Sequence, residues 1–239
     1  MEDPVARDWR FLKVDREGPT VVVRLHRPDA RNALNTGLMV ELTEFARGIR
    51  RRTDISTVIL TGSDRYFSAG ADLAAQGERR RPTLLETREA VMAGPDMCEA
   101  WEQVEAVTIA AIEGYCIGGG CALVATCDFR ILGEGAYLRL PEVPLGINMS
   151  WRSIPRIHAL VGPARAKQFV MFGEAVHAAD CLSWGFCEEV APAGGALEAA
   201  RVWAGKVAAL PPLPVRMTKE AVDALDKANH HAATFMDRD

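Results

Sequence analysis

Phe67-Ser68-Ala69-Gly70-Ala71-Asp72-Leu73 and Gly114-Tyr115-Cys116-Ile117-Gly118-Gly119-Gly120-Cys121 are the stretches whose reading decides the fold. Each follows an apolar, β-rich run: Thr57-Val58-Ile59-Leu60 before the first, Val107-Thr108-Ile109-Ala110-Ala111-Ile112 before the second. Small residues after a strand let another group approach the main chain and permit backbone angles that a Cβ forbids. Two such turns side by side can aim two backbone N–H groups at one oxygen. That is the requirement of an oxyanion hole, where preorganised donors stabilise charge developing on a carbonyl.

Outward from these turns, strands and helices alternate. Thr20 to Leu25 reads as a strand, closed by the turn material Arg27-Pro28-Asp29. Leu38, Met39, Leu42, Phe45, Ala46 and Ile49 have the spacing of an amphipathic helix over 36–50, with Asn35 or Thr36 as N-cap. The charged stretch Gln76 to Pro82 reads as a mobile loop. Leu84 to Glu105 reads as helix in two pieces, broken near Gly94-Pro95. A helix is expected to start at the glycine triplet and run over 119–125. Strands follow over 128–132 and 136–140, then helices over 152–160 and 163–172. A helix over 178–184 is ended by Gly185, and a strand over 186–190 comes next. From Leu197 the chain reads as helical, with breaks at Pro211-Pro212 and Pro214. This alternation predicts an α/β fold.

The 239 residues suffice for one large core. With 49% hydrophobic and 25% charged residues the chain reads as globular. A net charge of −4 gives no electrostatic case for nucleic acid as a partner. Arg50-Arg51-Arg52 and Arg79-Arg80-Arg81 read as solvated surface, the second with a phosphate-holding alternative. No segment approaches the roughly 20 apolar residues of a membrane span. The acidic start, Met1-Glu2-Asp3-Pro4, is unlike a signal peptide, so a cytoplasmic protein is expected. The six cysteines form no CxxC pair and have no histidine at a ligand spacing, so no metal site is expected.

The two turns, in this order and spacing, resemble the crotonase (enoyl-CoA hydratase/isomerase) superfamily. Arg27-Pro28-Asp29-Ala30-Arg31-Asn32-Ala33-Leu34-Asn35 resembles its first signature. Cys127 to Ile131, Leu140 to Ile147 and Leu182 to Phe186 continue the likeness in order, from about Val21 to about Val222. The resemblance implies a spiral of ββα units over 1–192. A helical C-terminal portion over 193–239 is implied to serve trimerisation and to cover the CoA site. It implies an acyl-CoA thioester substrate, no separate cofactor, and a homotrimer or a dimer of trimers. The oxyanion donors are implied to be the N–H groups of Ala71 and Gly119, with Ala69 and Gly118 in the same turns as substrate-binding residues. CoA contacts are implied at Arg31, Ala33, Leu34 and Leu73. Asp72 belongs to the same turn motif, reading either as a binding residue or as a bond to local backbone.

The acid–base groups depart from the hydratase pattern. Hydratases of the superfamily use two glutamates, one just after the glycine triplet and one in a later Pro-Glu pair. Here the first position is Ala122 and the second is Glu142, in Leu140-Pro141-Glu142. Hydration needs water deprotonated while a proton reaches the α-carbon, work that two carboxylates share. One carboxylate suffices to move a proton between two carbons of an enolisable thioester, which shifts a double bond. The expectation is therefore an enoyl-CoA isomerase with Glu142 as acid and base. The alternatives are a hydratase with one retained glutamate and a non-catalytic acyl-CoA binder. Leu145 to Arg152 replaces the glycine-rich stretch of typical hydratases at the acyl end of the pocket. Within it Met149 and Trp151 read either as packing residues or as pocket walls. Glu86 and Glu89 read as a solvated helix face, with a second acid as the sharper alternative.

Overall fold

The computed structural model describes residues 3–72 and 83–230. Leu73, the stretch Gln76 to Pro82 and residues 231–239 lie outside the described residues.

The chain opens with a hairpin of β1 (Leu12–Glu17) and β2 (Thr20–Leu25), followed by α1 (Thr36–Ile49). It then runs strand, strand, helix three times over. The first unit is β3 (Thr57–Thr61), β4 (Tyr66–Ser68) and α2 (Leu84–Glu102). The second is β5 (Val107–Ile112), β6 (Tyr115–Ile117) and α3 (Gly119–Val124), and the third β7 (Phe129–Gly133), β8 (Tyr137–Arg139) and α4 (Ser153–Phe172). After these come β9 (Ala175–His177), α5 (Ala178–Trp184), β10 (Glu189–Ala191), α6 (Ala196–Ala208) and α7 (Pro212–His230). The first strand of each unit joins a six-stranded sheet ordered β1-β2-β3-β5-β7-β10. The second joins a four-stranded sheet ordered β4-β6-β8-β9. This is the expected ββα spiral with a helical C-terminal portion.

The six-stranded sheet is parallel from β2 to β10. Its central strands are covered on both faces, which is why they read as unbroken apolar runs. Val21, Val23, Val58 and Leu60 enter the main core with Phe45 and Trp101, whose rings stack at 6.1 Å. Val22, Ile59 and Ile109 point the other way, onto Ala196, Ala200 and Ala204 of α6.

Several local expectations hold. Asn35 caps α1 by accepting from the Leu38 N–H at 2.9 Å, and Gly185 closes α5 at φ 79°. The helices before and after Gly162 meet at a kink where that residue has φ 73° and ψ 171°. Others change. α2 runs through Gly94-Pro95 without a break. Pro95 forfeits one backbone bond, but Met97, Cys98, Ala100 and Trp101 beyond it are buried, and that packing outweighs the loss. The strand expected from Phe186 begins at Glu189, because the Phe186 and Cys187 N–H groups both donate to Cys181 O and close α5. Pro214 does not break α7, since it lies in the first turn, where a helix needs no N–H donor. Among the described residues no helix is long and apolar enough to cross a membrane.

Candidate active site

Three parallel strands deliver the site. β4, β6 and β8 lie side by side, with Tyr66 opposite Tyr115 and Tyr115 opposite Tyr137. Adjacent strands are about 4.8 Å apart. The turns leaving their C-terminal ends therefore emerge in a row: Ala69-Gly70-Ala71, Gly118-Gly119 and Pro141-Glu142. At the opposite end an aromatic ladder fixes the register. Tyr66, Tyr115, Tyr137 and His177 follow one another with ring centroids 5.8, 6.1 and 5.7 Å apart.

In the first turn the backbone donors can be accounted for one by one. Ala69 N–H donates to Arg31 O at 3.0 Å, and Gly70 N–H to Ser68 Oγ at 3.1 Å. Asp72 N–H donates to Leu34 O at 3.2 Å, while Leu34 N–H donates to Gly70 O at 2.7 Å. Among the described residues this leaves the Ala71 N–H without a backbone or side-chain acceptor. Gly70 has φ 86°, and a Cβ there would stand 2.9 Å from Ile117 O of the neighbouring turn. Only glycine allows the two turns to approach this closely.

In the second turn Gly118 N–H donates to Arg139 O at 2.8 Å, tying β6 to β8. Gly119 is the first residue of α3, so its N–H is one of the first-turn donors that a helix leaves unclaimed. Gly119 shares this position with Gly120 and Cys121, whose N–H groups also lie in the first turn of α3. Gly118, at φ 49° and ψ −116°, turns its bare Cα to the third turn. A Cβ there would be 2.5 Å from Glu142 Oε1.

Glu142 Oε2 is buried and has no hydrogen-bond partner. Burial raises the pKa of this carboxyl above its ordinary 4.5, because desolvation penalises the charged form. Ala122 is fully buried within the apolar core, so no carboxylate reaches the site from that position. Cys121 lies beneath the turn with its thiol bonded to Cys116 O at 3.1 Å. Burial pushes that thiol's pKa up, which leaves it a packing residue.

The remaining expected residues divide. Arg31 is exposed, while Ala33 and Leu34 are buried beneath the first turn. Asp72 faces Arg27 in an ion pair at 2.6 Å, which fastens the first turn to the Pro28–Ala30 3-10 turn. Glu86 forms a capping box with Thr83, accepting from its N–H at 2.7 Å. Glu89 is exposed beside Arg88. Trp151 is half-buried, its indole against Gly119. Two supporting residues were not foreseen. Asn32 is buried, accepts from Arg27 N–H at 2.8 Å and donates to Phe67 O at 3.1 Å, while its own carbonyl receives Ser68 Oγ–H at 2.8 Å. Gly94, on α2, leaves room for the Trp151 ring. A buried asparagine within an arginine- and alanine-rich turn was the available signal for the first. Nothing local marks the second. Among the described residues no group of three or more His, Cys, Asp or Glu could hold a metal.

The family model for enoyl-CoA hydratase/isomerase matches residues 15–238. The chain belongs to this family, within the crotonase superfamily. Membership carries acyl-CoA thioester chemistry with it. Among relatives, the 2,3-dehydroadipyl-CoA hydratase of Escherichia coli is 34% identical over 215 residues, 88% of this chain and 81% of that protein. The short-chain-enoyl-CoA hydratase of Clostridium acetobutylicum is 31% identical, covering 88% and 80%. The structure of Pseudomonas aeruginosa DspI superposes with a TM-score of 0.86 at 30% identity, covering 93% of this chain and 84% of that one. For the enoyl-CoA hydratase of Bacillus anthracis the TM-score is 0.83 at 31% identity, covering 95% and 91%.

Proposed function

We propose that the protein isomerises an enoyl-CoA, shifting the double bond from the 3- to the 2-position through a thioester enolate. The observation that carries the reading is Glu142, whose Oε1 lies against Gly118 and whose Oε2 is buried without a hydrogen bond, together with the methyl group of Ala122 in place of a second carboxylate. The thioester oxygen accepts from the Ala71 and Gly119 N–H groups. Each well-aimed donor contributes about 3 kcal/mol once charge develops on that oxygen. The N-terminus of α3 adds a favourable dipole. Glu142, as carboxylate, removes a proton from carbon 2 of the 3-enoyl thioester. The electron pair moves into a dienolate, and the carboxylic acid so formed returns the proton to carbon 4. Mass is unchanged and no water is consumed. Its raised pKa makes the carboxylate a stronger base than an exposed glutamate.

Arg31, Ala33 and Leu34 border the CoA moiety. Asp72 acts by holding the first turn on Arg27, and Ala69 and Gly118 shape the backbone that carries the donors. The protein works as a homotrimer or a dimer of trimers in the cytoplasm. Support for assembly comes from α7, which exposes Leu213, Met217, Val222 and Leu225. A cavity of about 640 Å³ beside this helix is lined by Phe129, Arg156, Leu210, Val215 and Lys219 and includes none of the three turns.

A second reading is hydration of a 2-enoyl-CoA, with Glu142 and an unusual second group. It is favoured by the hydratase names of the Escherichia coli and Clostridium acetobutylicum relatives. Incubation with 3-enoyl-CoA and 2-enoyl-CoA separately, with products resolved by mass and retention, divides the two. A mass-neutral shift lost in Glu142→Gln is the expected result. Gain of one water on 2-enoyl-CoA overturns the isomerase reading.

A further inference from the structure

Gly118 and Gly119 are consecutive, yet each turns its Cα to a different side chain. Gly118 faces the Glu142 carboxylate, and Gly119 faces the six-membered ring of Trp151. The pyrrole side of the same indole rests on Gly94 of α2. A Cβ on either Gly94 or Gly119 would overlap the ring. The indole is thus wedged between the start of α3 and the middle of α2, in a space that exists because two side chains are missing.

The backbone that holds the indole is itself constrained. Trp151 has φ 63° and Arg152 φ 55°, a left-handed pair in which neither residue is glycine. Bulky residues avoid this region unless their surroundings over-determine it. Here they do. Arg152 Nη1 donates to Glu99 at 2.8 Å. Arg156 Nη1 donates to Arg152 O at 2.8 Å and to Trp151 O at 3.3 Å, and its other nitrogens donate to Glu102 at 3.0 and 3.1 Å. Ser153 Oγ donates to Ser150 O at 2.7 Å. Glu99 and Glu102 belong to α2, as does Gly94. One helix therefore both clamps the turn and seats the ring.

We infer that Trp151 is the residue that sets acyl-chain length, restricting this protein to short-chain acyl-CoA thioesters. The inference rests on the proposed placement of the thioester oxygen at Ala71 and Gly119 and of Glu142 beside the reacting carbons. Carbons within reach of a carboxylate seated over Gly118 are one residue from the indole seated over Gly119. The flat ring face is a good surface for the planar, conjugated carbons of a short enoyl group. A long chain needs the volume the ring occupies, and the clamp on α2 does not release it.

Calorimetric titration of the full chain with CoA, butyryl-CoA and a long straight-chain saturated acyl-CoA tests this without requiring turnover. The wild type is expected to bind butyryl-CoA about tenfold more tightly than the long thioester. Trp151→Ala should erase or invert that ratio, a shift of about tenfold or more from the extra methylenes accommodated, while affinity for CoA itself is unchanged. Should Trp151→Ala fail to fold, Trp151→Phe, which shortens the wedge, gives a smaller shift in the same direction. Equal binding of both thioesters by the wild type overturns the inference, as does a ratio unmoved in the folded Trp151 variants. Failure of the folded wild type to bind CoA or any thioester overturns instead the acyl-CoA reading on which the inference rests.

Discussion

Two carboxylates stand at the ends of strands and are used in opposite ways. Asp128, at the entry to β7, is engaged by three donors. Its Oδ2 accepts from the Thr108 N–H at 2.7 Å, the Thr108 hydroxyl at 3.0 Å and the Lys219 ammonium at 2.6 Å. It joins β5, β7 and α7 in one knot. Glu142, just beyond the exit of β8, keeps Oε2 buried and unbonded. Buried polar atoms almost always find partners, so the second arrangement is the exception that needs a reason. Asp128 contributes its bonding capacity to the fold, and Glu142 Oε2 leaves its own unused. The difference follows from what the sequence places beside each group. Asp128 meets a threonine and a lysine, whereas Glu142 meets the bare Cα of Gly118.

Four changes would break or sharpen this contrast. The largest is Glu142→Gln, which should lower turnover of an enoyl-CoA by about 10²–10⁴-fold, the usual worth of a positioned acid–base group. Steady-state kinetics alongside a thermal melt would show that the fold survives. Asp128→Ala should do the reverse. Removing the anion strands a largely buried Lys219 and costs about 3 kcal/mol of stability. Denaturant titration measures the loss, with turnover per folded molecule retained.

The third change is pH. Burial raises the folded-state pKa of Glu142 above 4.5, so the unfolded chain releases this proton first. The stability carried by the protonated carboxyl is therefore present below about pH 4.5 and lost as pH rises through the folded-state pKa. Glu142→Gln should equal the wild type in melting temperature in acid and exceed it toward neutrality. A variant that is less stable at neutral pH would show that Glu142 is a structural residue after all. The smallest effect is expected at the filled end of the sheet. Tyr115→Leu removes the middle of the aromatic ladder, at a cost of about 1 kcal/mol. Chemical denaturation should register it, and turnover should fall only to the extent that the register of β6 loosens.

Legibility from the sequence follows how local each feature is. The strands at Thr20, Thr57 and Val107 were readable because burial on both faces leaves an apolar run that needs no partner to recognise. β1 was not, since Lys13, Asp15, Arg16 and Glu17 give it the charge of an exposed edge strand. The three-residue strands β4 and β6 were hidden inside the glycine motifs, whose turns drew the reading. Gly94-Pro95 signalled a break that packing of Met97 and Trp101 cancels. In the site, Ala71, Gly119 and Glu142 were legible through a family pattern. Asn32 and the Gly94 seat of Trp151 were not, because their partners Phe67 and Trp151 are remote in the chain and meet them only on folding.

The ββα spiral was carried by the family likeness, whereas the α/β alternation, the glycine turns and the pairing of Glu142 with Ala122 were written in the sequence itself. These depend on backbone angles, hydrophobic period and residue identity, all written locally. Folding is what leaves the Ala71 N–H unclaimed among the described residues, buries Glu142 Oε2 without a hydrogen bond, and clamps an indole over Gly119. Those facts are sums over neighbours, since whether a group is satisfied or desolvated depends on everything that packs around it.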